Sequence, residues 1–469
     1  MLFTEPSFLF YFLPGTLAAY HLLPQRWRNL VLTGASLLFY AVGEASFLGW
    51  LLGSTAATYL VARGIDAWRG QRRATLLLVL GITIDLALLG YFKYASFAVR
   101  TAVEVGLVHT AVPSIILPLG ISFFTFHKIS YKVDVHRGTA VVRKNPLDLL
   151  LYILFFPQLI AGPIIRYHDV ATELVRRKVL VSDFATGIRR FGIGLAKKML
   201  VANTVGAVAD QVFGLDSTHL GTLAAWIGLT CYTLQIYFDF SGYSDMAIGL
   251  ARMFGFHFLE NFDHPYASRS ITEFWRRWHI SLSRWFRDYL YIPLGGNRGP
   301  LWRTYLNLSV VFALCGLWHG ASWNFVLWGL FHGSLLVAER AGWTSTLSRL
   351  PRLVQHAQTV LWVMLGWVLF RAPSLHAAEA VWRGLFGLNG APLALGADLA
   401  RVWTPGLLAL MALGFLLSVF GFEPLRRRRL PGAGRVGGLL DGAAICGLLA
   451  LCVLAVAGGG YSPFLYYRF

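Results

Sequence analysis

The 469-residue chain is strongly apolar: 56% of its residues are hydrophobic, only 14% are charged, and its mean hydropathy is +0.57. Soluble domains carry about 25% charged residues, so the composition excludes a soluble enzyme with one anchor and predicts an all-α, polytopic membrane protein. The formal charge of +18 does not indicate a nucleic acid partner. The arginines and lysines fall mostly in short loops between apolar runs, which is the pattern that the positive-inside rule produces.

Apolar runs recur along the whole chain and predict roughly 11 to 13 transmembrane or re-entrant helices in contact with the lipid bilayer. The first run has no basic residues before it, so we interpret it as a retained span rather than a cleaved signal peptide. The cysteines show no CxxC spacing, and their pattern indicates neither a metal site nor a disulfide framework. The runs lie near 6–24, 29–45, 47–62, 74–92, 113–127, 147–165, 186–212, 221–252, 305–318, 322–338, 356–371, 404–421 and 438–458.

Four basic clusters predict which loops are cytoplasmic. The run 147–165 joins the second cluster to the third, so it must enter and leave the membrane on the same side. Pro157, Gly162 and Pro163 interrupt this run where a hairpin needs a break, which predicts a re-entrant segment that faces protein or a cavity. The clusters are Arg63, Arg69, Arg72 and Arg73; Arg137, Arg143 and Lys144; Arg176, Arg177 and Lys178; and Arg426 to Arg429.

The stretch 268–299 is polar and aromatic. It carries seven formal charges between Arg269 and Asp288, and laying them across lipid would cost on the order of 20 kcal/mol. We therefore expect an amphipathic helix at the interface or at the mouth of a polar funnel, with His279 at the edge of its aromatic face. Residues spaced by three or four define that face, namely Trp275, Trp278, Leu282, Trp285 and Tyr289.

The run from Val311 to Gly333 is strongly apolar and of membrane length, and His319 lies near its centre. An ionisable side chain at membrane depth is costly, so it is a functional candidate by default. A neutral imidazole is the usual general base near neutral pH, but a structural histidine bonded to a backbone carbonyl fits the residues equally well. Cys315, one turn earlier, leaves a Cys–His nucleophile as a minor alternative, and His332 is expected to serve packing.

Other polar residues support either function or structure. Asp239 and Asp245 lie inside an apolar run and must face a cavity, a partner or a helix terminus; a structural role is favoured for both. His279 is either an interfacial packing residue or a partner in the active site. Arg276 and the following arginines up to Arg298 are either interface anchors or a docking surface for a phosphorylated or acidic donor.

Five stretches together make the chain similar to a known family. They lie at 118–138, 155–166, 237–256, 271–299 and 314–333, and they include the motifs WRRWH, with His279, and WHG, with His319. In these stretches the chain resembles the membrane-bound O-acyltransferase family, most closely its bacterial alginate O-acetyltransferase branch. The family's NFxxPY motif is present from Asn261 to Tyr266. The Asp-His pair in its middle is less typical, and no role is assigned to that pair.

The resemblance implies a single membrane domain, 1–469, whose family core spans about 110–335, with N-terminal helices in 1–109 and C-terminal helices in 340–469. It implies a ring of helices around a central tunnel. It also implies that His319 and His279 are catalytic. The expected substrate-binding or supporting residues are Asn324, Trp318, Asp239, Asp245, Arg276 and Trp278, and an oxyanion donor is expected from Asn324, a tryptophan N–H or His279.

The function implied by the resemblance is transfer of an acetyl group from a cytoplasmic thioester, either acetyl-CoA or an acyl-carrier thioester, with no bound cofactor. The acceptor is a hydroxyl of an exported polysaccharide or of a periplasmic acetyltransferase partner, and the location is the bacterial inner membrane. Transfer of D-alanine to teichoic acid is the alternative within the family. A proton-coupled transporter with His319 as relay, disfavoured because no internal repeat is found, and a structural scaffold are the alternatives from other classes.

Overall fold

The structure is a computed structural model that describes residues 1–391, 403–420, 434–458 and 464–465. Throughout these residues the regular secondary structure is helical, which confirms the all-α class. The chain divides into two compact units, one formed by residues 1–191 and 244–259, the other by residues 192–243 and the described part of 260–469. The basic cluster Arg426 to Arg429 lies outside the described residues.

The first unit consists of apolar helices, several of which expose large apolar side chains. On one helix Leu76 is 68% and Val79 57% exposed, as expected of a surface that faces lipid. The helices are α1 (Leu13–Leu22), α2 (Arg28–Glu44), α3 (Leu48–Ala67), α4 (Arg72–Leu89), α5 (Ala95–Glu104), α6 (Ile121–Arg137), α7 (Pro146–Leu154), α8 (Phe156–Leu159), α9 (Tyr167–Val170) and most of α10 (Val181–Ala196).

The second unit contains the stretches 271–299 and 314–333, which carry the family resemblance, and a helix that hydropathy did not predict, α19. Its helices are α11 (Asn203–Phe213), most of α12 (Thr222–Met253), α13 (Ile271–Arg277), α14 (Ile280–Phe286), α15 (Leu301–His319), α16 (Trp323–Ala338), α17 (Thr344–Leu347), α18 (Arg352–Arg371), α19 (Leu375–Leu385), α20 (Pro405–Phe420) and α21 (Gly434–Ala457). Single π-helical turns occur at Phe8–Phe12, Gly90–Tyr94, Lys197–Ala202, Arg287–Tyr291 and Glu339–Trp343, and 3₁₀ turns at Gln25–Trp27, Ala45–Phe47, Ser217–His219 and Pro265–Ala267.

Four helical stretches are long and apolar enough to cross a membrane. They are Gln25–Ala67, which contains α2 and α3, and Arg72–Glu104, Val181–Phe213 and Arg352–Arg371. The shortest has 20 residues, and at about 1.5 Å per residue it covers the roughly 30 Å of a bilayer's hydrocarbon core. Shorter apolar helices add to these. The described residues therefore have the composition and the helix lengths of a polytopic membrane protein.

The predicted run 113–127 is helical only in its second half. Residues 107–118 form no helix, and α6 begins at Ile121 after Gly120, whose φ is 73°. Pro113 and Pro118 explain the difference, because proline lacks a backbone N–H and disfavours helical geometry in the residue before it. Hydropathy alone does not distinguish an apolar extended segment from an apolar helix.

The break predicted in the run 147–165 is confirmed. Helix α7 ends at Leu154, Phe155 is non-helical with φ −49° and ψ 111°, and the short α8 follows. Every residue from 151 to 165 is buried, and the side-chain amide of Gln158 donates a hydrogen bond to the backbone oxygen of Tyr152. Irregular backbone at membrane depth is tolerated only where protein covers it, and burial satisfies that condition here. The re-entrant path itself remains a prediction.

Helices α15 and α16 form a hairpin in which the two backbones touch. A Cβ on Gly316 would lie 2.1 Å from the carbonyl oxygen of Phe325, and one on Gly329 would lie 2.1 Å from that of Phe312. Small residues at matching positions allow this close approach between membrane helices. The apolar run 311–333 is therefore two packed helices rather than one span, in agreement with the separate runs near 305–318 and 322–338.

The turn of this hairpin places His319 at a helix end. His319 is the last residue of α15, Gly320 is extended with φ −165° and ψ 149°, and α16 begins at Trp323. The expectation that His319 lies near the centre of one membrane-length run was wrong. Glycine and serine are weak helix formers, and Gly320 and Ser322 end the helix where the hydropathy stays high.

Candidate active site

The stretch 268–299 folds into two short helices, not into one amphipathic helix. Helix α13 ends at Arg277, Trp278 is extended, and His279 has a left-handed backbone with φ 44° and ψ 54° before α14 begins. The prediction that Trp275, Trp278 and Trp285 share one continuous helical face was wrong for this reason. A left-handed non-glycine residue costs of order 1–3 kcal/mol and often marks a functional site. In the described residues, His264 is the other non-glycine residue with a positive φ.

The loop 260–267, which contains the NFxxPY motif, forms backbone hydrogen bonds with the residues on either side of the break between α13 and α14. The N–H of Ile280 donates to the carbonyl oxygen of Asn261 at 2.9 Å, and the N–H of Asp263 donates to that of Arg277 at 2.9 Å. The hydroxyl of Tyr266 in turn donates to the carbonyl oxygen of Thr233 on α12 at 2.7 Å. The NFxxPY motif therefore anchors the residue that carries the imidazole.

The side-chain oxygen of Asn261 lies within hydrogen-bonding distance of three groups of His279 and Ser281. Its Oδ1 lies 3.1 Å from His279 Nδ1, and it accepts hydrogen bonds from Ser281 N at 3.1 Å and Ser281 Oγ at 2.8 Å. All three residues are buried, Asn261 and His279 to 1% exposure. The sequence analysis assigned no role to Asn261, although it is the first residue of a recognised motif.

The start of α13 is capped by a residue far away in the chain. The carboxylate of Glu339, which is 4% exposed, accepts hydrogen bonds from the backbone N–H groups of Ile271 at 2.6 Å and Thr272 at 2.9 Å. Carboxylates stabilise helix N-termini by accepting these otherwise unsatisfied N–H groups. Sequence reasoning missed Glu339 because it follows α16, and no local pattern connects it with α13.

His319 lies within a cluster of aromatic rings and is 3% exposed. Its ring centroid is 5.1 Å from that of Trp328, 5.2 Å from that of Phe370 and 5.0 Å from that of Trp318. The ring of His279 lies 6.4 Å from it, centroid to centroid. The structure thus brings together the two histidines that the resemblance named.

The predicted supporting residues lie at different distances from this pair. Trp318 contacts both rings, with centroids 5.0 Å from His319 and 6.2 Å from His279. Trp278 packs instead on Phe262, 5.0 Å away, among other aromatic side chains. Asn324 donates through Nδ2 to the carbonyl oxygen of Ala372 at 2.8 Å, so part of its donor capacity already links the start of α16 to the residue that follows α18.

The two acidic candidates have cationic partners that the sequence did not reveal. Asp239 pairs with Lys198 at 2.5 Å and also accepts a hydrogen bond from the N–H of Leu465 at 2.8 Å. Asp245, in the first unit, pairs with Arg190 at 2.6 Å. These contacts agree with the structural role that the sequence analysis favoured for both acids.

Arg276 is exposed and lies on the outer side of α13, whereas its neighbour Trp275 is buried. The ring of His332, fully buried, is 5.0 Å from that of Trp275 and 5.3 Å from that of Trp328, centroid to centroid. The packing role expected for His332 agrees with these contacts. The exposure of Arg276 thus separates it from the buried pair His279 and His319, whereas His332 is buried and shares the neighbour Trp328 with His319.

The comparison with known proteins identifies the family. The sequence profile of the membrane-bound O-acyltransferase family matches residues 119–369, more than half of the chain. The chain belongs to the membrane-bound O-acyltransferase family. This matched segment contains Asn261, His279 and His319, and it confirms the resemblance on which the expected site rests.

Named relatives support an O-acyltransferase. The chain is 42% identical over 494 aligned residues to the probable alginate O-acetylase of Pseudomonas putida, with 100% of both chains covered. It is 38% identical over 429 residues to the peptidoglycan O-acetyltransferase of Helicobacter pylori, which covers 84% of this chain and 81% of that protein. It is 29% identical over 282 residues to the teichoic acid D-alanyltransferase of Bacillus subtilis, which covers 55% of this chain and 69% of that protein. The chain is therefore an O-acyltransferase of the membrane.

The environment of His279 in this acyltransferase favours an uncharged imidazole. Its segment is outside the four candidate membrane spans, and burial lowers the pKa of His279 from 6.5 to about 3. The cause is desolvation, which penalises the charged form of the ring. A neutral imidazole keeps one nitrogen with a lone pair, so at neutral pH the ring has the chemical capacity to accept a hydrogen bond or a proton.

Proposed function

We propose that this O-acyltransferase moves an acetyl group from a cytoplasmic thioester across the bacterial inner membrane to a hydroxyl outside. The acceptor is an exported polysaccharide, or a periplasmic partner protein that passes the group on. The observation that carries the proposal is the buried pair His279 and His319, 6.4 Å apart between ring centroids. The chain is similar over most of its length to proteins named for acetylating alginate and peptidoglycan.

The proposed reaction is a direct acyl transfer. His319 accepts the proton of the acceptor hydroxyl while the hydroxyl oxygen attacks the thioester carbonyl carbon. The tetrahedral intermediate then collapses, the carbon–sulfur bond breaks, and the departing thiolate takes the proton from His319. The products are an ester and a free thiol, so no external oxidant, metal or bound cofactor enters the balance.

The intermediate needs a hydrogen-bond donor for its oxyanion. The indole N–H of Trp318 belongs to a ring that contacts both histidines, and it is the donor that we propose. Asn324 is a weaker candidate because its Nδ2 already donates to the carbonyl oxygen of Ala372. The donor substrate, acetyl-CoA or an acyl-carrier thioester, approaches from the face with the basic loops in this proposal.

The test replaces His319 by alanine in a strain that lacks its own copy of the gene. We expect the variant to be inserted at normal abundance, while ester-linked acetate on the exported glycan disappears. His279→Ala is expected to lose most of the ester as well. The matched control is His332→Gln, which removes another buried histidine from the same aromatic surroundings and is expected to keep most of the ester.

The outcomes separate the rival functions. Full acetylation by His319→Ala would contradict the proposal and leave a structural role for this histidine. Mass spectrometry of the ester distinguishes acetyl from D-alanyl and therefore tests the alternative to which the Bacillus subtilis relative points. Substrate flux through proteoliposomes without ester formation would instead support a proton-coupled transporter.

A further inference from the structure

The side chains of Asn261, Ser281 and His279 form a buried hydrogen-bond network. The argument starts with the amide of Asn261, whose two ends differ in chemistry although they have nearly the same shape. One end is an oxygen that only accepts hydrogen bonds, and the other is an NH₂ group that only donates them. The orientation of this amide is therefore decided by its neighbours.

The backbone fixes the orientation of the amide. The N–H of Ser281 is a donor that cannot reverse, and it lies 3.1 Å from the Oδ1 position of Asn261. Rotating the amide would place its NH₂ group against this N–H, with two donors facing each other in a buried site, which is costly. The hydroxyl of Ser281, 2.8 Å from the same atom, supports the same orientation.

The fixed oxygen then decides the tautomer of the imidazole. Nδ1 of His279 lies 3.1 Å from Oδ1 of Asn261, and because Oδ1 only accepts, Nδ1 must carry the hydrogen. In a neutral ring the other nitrogen, Nε2, then carries the lone pair. Charge neutrality agrees with the burial of the ring, which lowers its pKa.

We propose that Asn261 is a positioning residue that holds His279 as the Nδ1–H tautomer, so that Nε2 accepts a hydrogen bond from the bound substrate. This inference rests on the proposed function for its catalytic meaning. It also removes His279 from the candidate oxyanion donors named in the sequence analysis, because the Nε2 of a neutral His279 in this tautomer has no hydrogen to donate. An acceptor sugar has neighbouring hydroxyls, so one can bond to His279 Nε2 while the reacting one bonds to His319.

The geometry of the backbone adds a reason for this arrangement. His279 occupies a left-handed conformation at the break between α13 and α14, and Asn261 O accepts a hydrogen bond from the next residue, Ile280, at 2.9 Å. The main chain of Asn261 thus fixes the backbone next to His279, while its side chain contacts the imidazole. Rigid support of this kind is what keeps a base oriented in sites where a third group bonds to the histidine's second nitrogen.

Nuclear magnetic resonance tests the tautomer without any substrate. The protein is labelled with ¹⁵N-histidine, and the His279 signals are assigned by their loss in His279→Gln. We expect the wild-type protein to show a protonated Nδ1 and an unprotonated Nε2. Asn261→Asp should keep this pattern, and Asn261→Ala should lose it. A wild-type protein with Nε2 protonated, or an Asn261→Ala variant with an unchanged pattern, would overturn the inference.

A matched control separates positioning from general destabilisation. Asn307 is also a buried asparagine, and its Nδ2 donates to the carbonyl oxygen of Gly296 at 2.9 Å without contact to His279. Asn307→Ala is expected to lower stability and to leave the His279 signals in place. If Asn307→Ala changed the His279 pattern as much as Asn261→Ala does, the effect would be structural and the inference wrong.

Kinetics with the purified full chain, acetyl-CoA and alginate oligosaccharides give the second readout. We expect Asn261→Ala to lower kcat by about 100-fold with a small change in KM. Asn261→Asp should keep most of kcat and move the acidic limb of the pH–rate profile upwards, since a carboxylate stabilises the charged ring. His319 is the titratable side chain facing His279 from α15, whereas Phe240 and Phe262 face it as apolar rings.

The tautomer measurement and the kinetics distinguish a failure of the positioning role from a failure of the proposed function. A wild-type protein with the expected tautomer but without ester formation would contradict the proposed function and leave the role of Asn261 in the fold intact. Ester formation with an unchanged pH–rate profile in Asn261→Asp and unchanged kcat in Asn261→Ala would contradict the positioning role and leave the proposed function intact.

Discussion

Buried polar groups are satisfied in different ways at two places in this acyltransferase, an ion pair in the first unit and the histidine pair in the second. In the first unit the ammonium group of Lys132 and the carboxylate of Asp85, 1% and 4% exposed, form an ion pair, and Lys132 also donates to the carbonyl oxygen of Gly81 at 2.7 Å. In the second unit, the contacts of His279 and His319 described above are to aromatic rings and to the amide of Asn261. The first arrangement neutralises charge, whereas the second keeps basic nitrogens in apolar surroundings.

This difference indicates that the ion pair contributes to stability, whereas the histidines are available for chemistry. A buried ion pair whose partners satisfy each other has little left to offer a substrate, and removing one partner leaves an uncompensated charge. A histidine among aromatic rings has no such charge to balance, and its lone pair is strengthened as a hydrogen-bond acceptor by the low local dielectric. Substitutions in the first region should therefore change the amount of folded protein, and those in the second the turnover of that protein.

The largest effect on stability is expected for Asp85→Ala, which leaves Lys132 buried without its carboxylate. We expect a loss of about 3–5 kcal/mol, measured as reduced folded protein on size-exclusion chromatography and a lower Tm in detergent. The double variant Asp85→Leu with Lys132→Met removes both charges and should recover most of the loss. A double variant as unstable as the single one would show that the pair is not what stabilises this region.

The packing of α15 on α16 is expected to be the next most sensitive feature. Gly316→Ala places a methyl group where the carbonyl oxygen of Phe325 lies 2.1 Å away, so the helices must separate at a cost of about 1–3 kcal/mol. Turnover should fall too, since His319 ends α15. Gly53→Ala is the control, because its Cβ meets nothing within 4 Å. Equal Tm values for the two variants would contradict the close backbone contact.

Asn324 tests whether a polar neighbour of the histidines belongs to the chemistry. Its Nδ2 donates to the carbonyl oxygen of Ala372 at 2.8 Å, and Asn324→Ala leaves that oxygen buried at a cost of about 1–3 kcal/mol. We expect the folded fraction to keep its turnover within about tenfold, since removal of an oxyanion donor costs about 100-fold or more. A loss of that larger size would assign the oxyanion to Asn324.

Acid pH is expected to lower stability through His279. The pKa of His279 is about 3 in the folded protein and near 6.5 when the ring is exposed. Below pH 6.5 the unfolded chain therefore binds a proton that the folded one does not, and stability falls by about 1.4 kcal/mol per pH unit down to pH 3. His279→Gln should lose less Tm between pH 7 and pH 5 than the wild-type protein, and an equal loss would contradict the burial of a neutral ring.

Hydropathy and motif content predicted the membrane class and most helices, because these depend on composition and on short patterns. The family motifs also singled out His279 and His319, whose ring centroids lie 6.4 Å apart in the structure. The failures were at chain breaks. Residues 107–118 are apolar but carry prolines, and His279 lies in a left-handed turn inside what periodicity predicted as one helix. Periodicity describes the average spacing of apolar residues and is nearly insensitive to one residue that leaves the helix.

The supporting contacts could not be predicted because they join residues distant in sequence. Glu339 caps α13 from beyond α16, Lys198 neutralises Asp239, and Arg190 neutralises Asp245. The charges of these residues are visible in the sequence, but their pairing follows from tertiary packing. Asn261 was visible as part of a motif, and only the position of the Ser281 N–H shows what its oxygen does.

The most direct test of the account is ester formation by the purified protein in detergent or in proteoliposomes. Acetyl-CoA with a labelled acetyl group is supplied with alginate oligosaccharides, and labelled ester is quantified for the wild-type protein and for folded His319→Ala. We predict ester formation by the wild-type protein and a rate about 1000-fold lower for His319→Ala. Ester formation by folded His319→Ala at close to the wild-type rate would contradict the central role of this histidine.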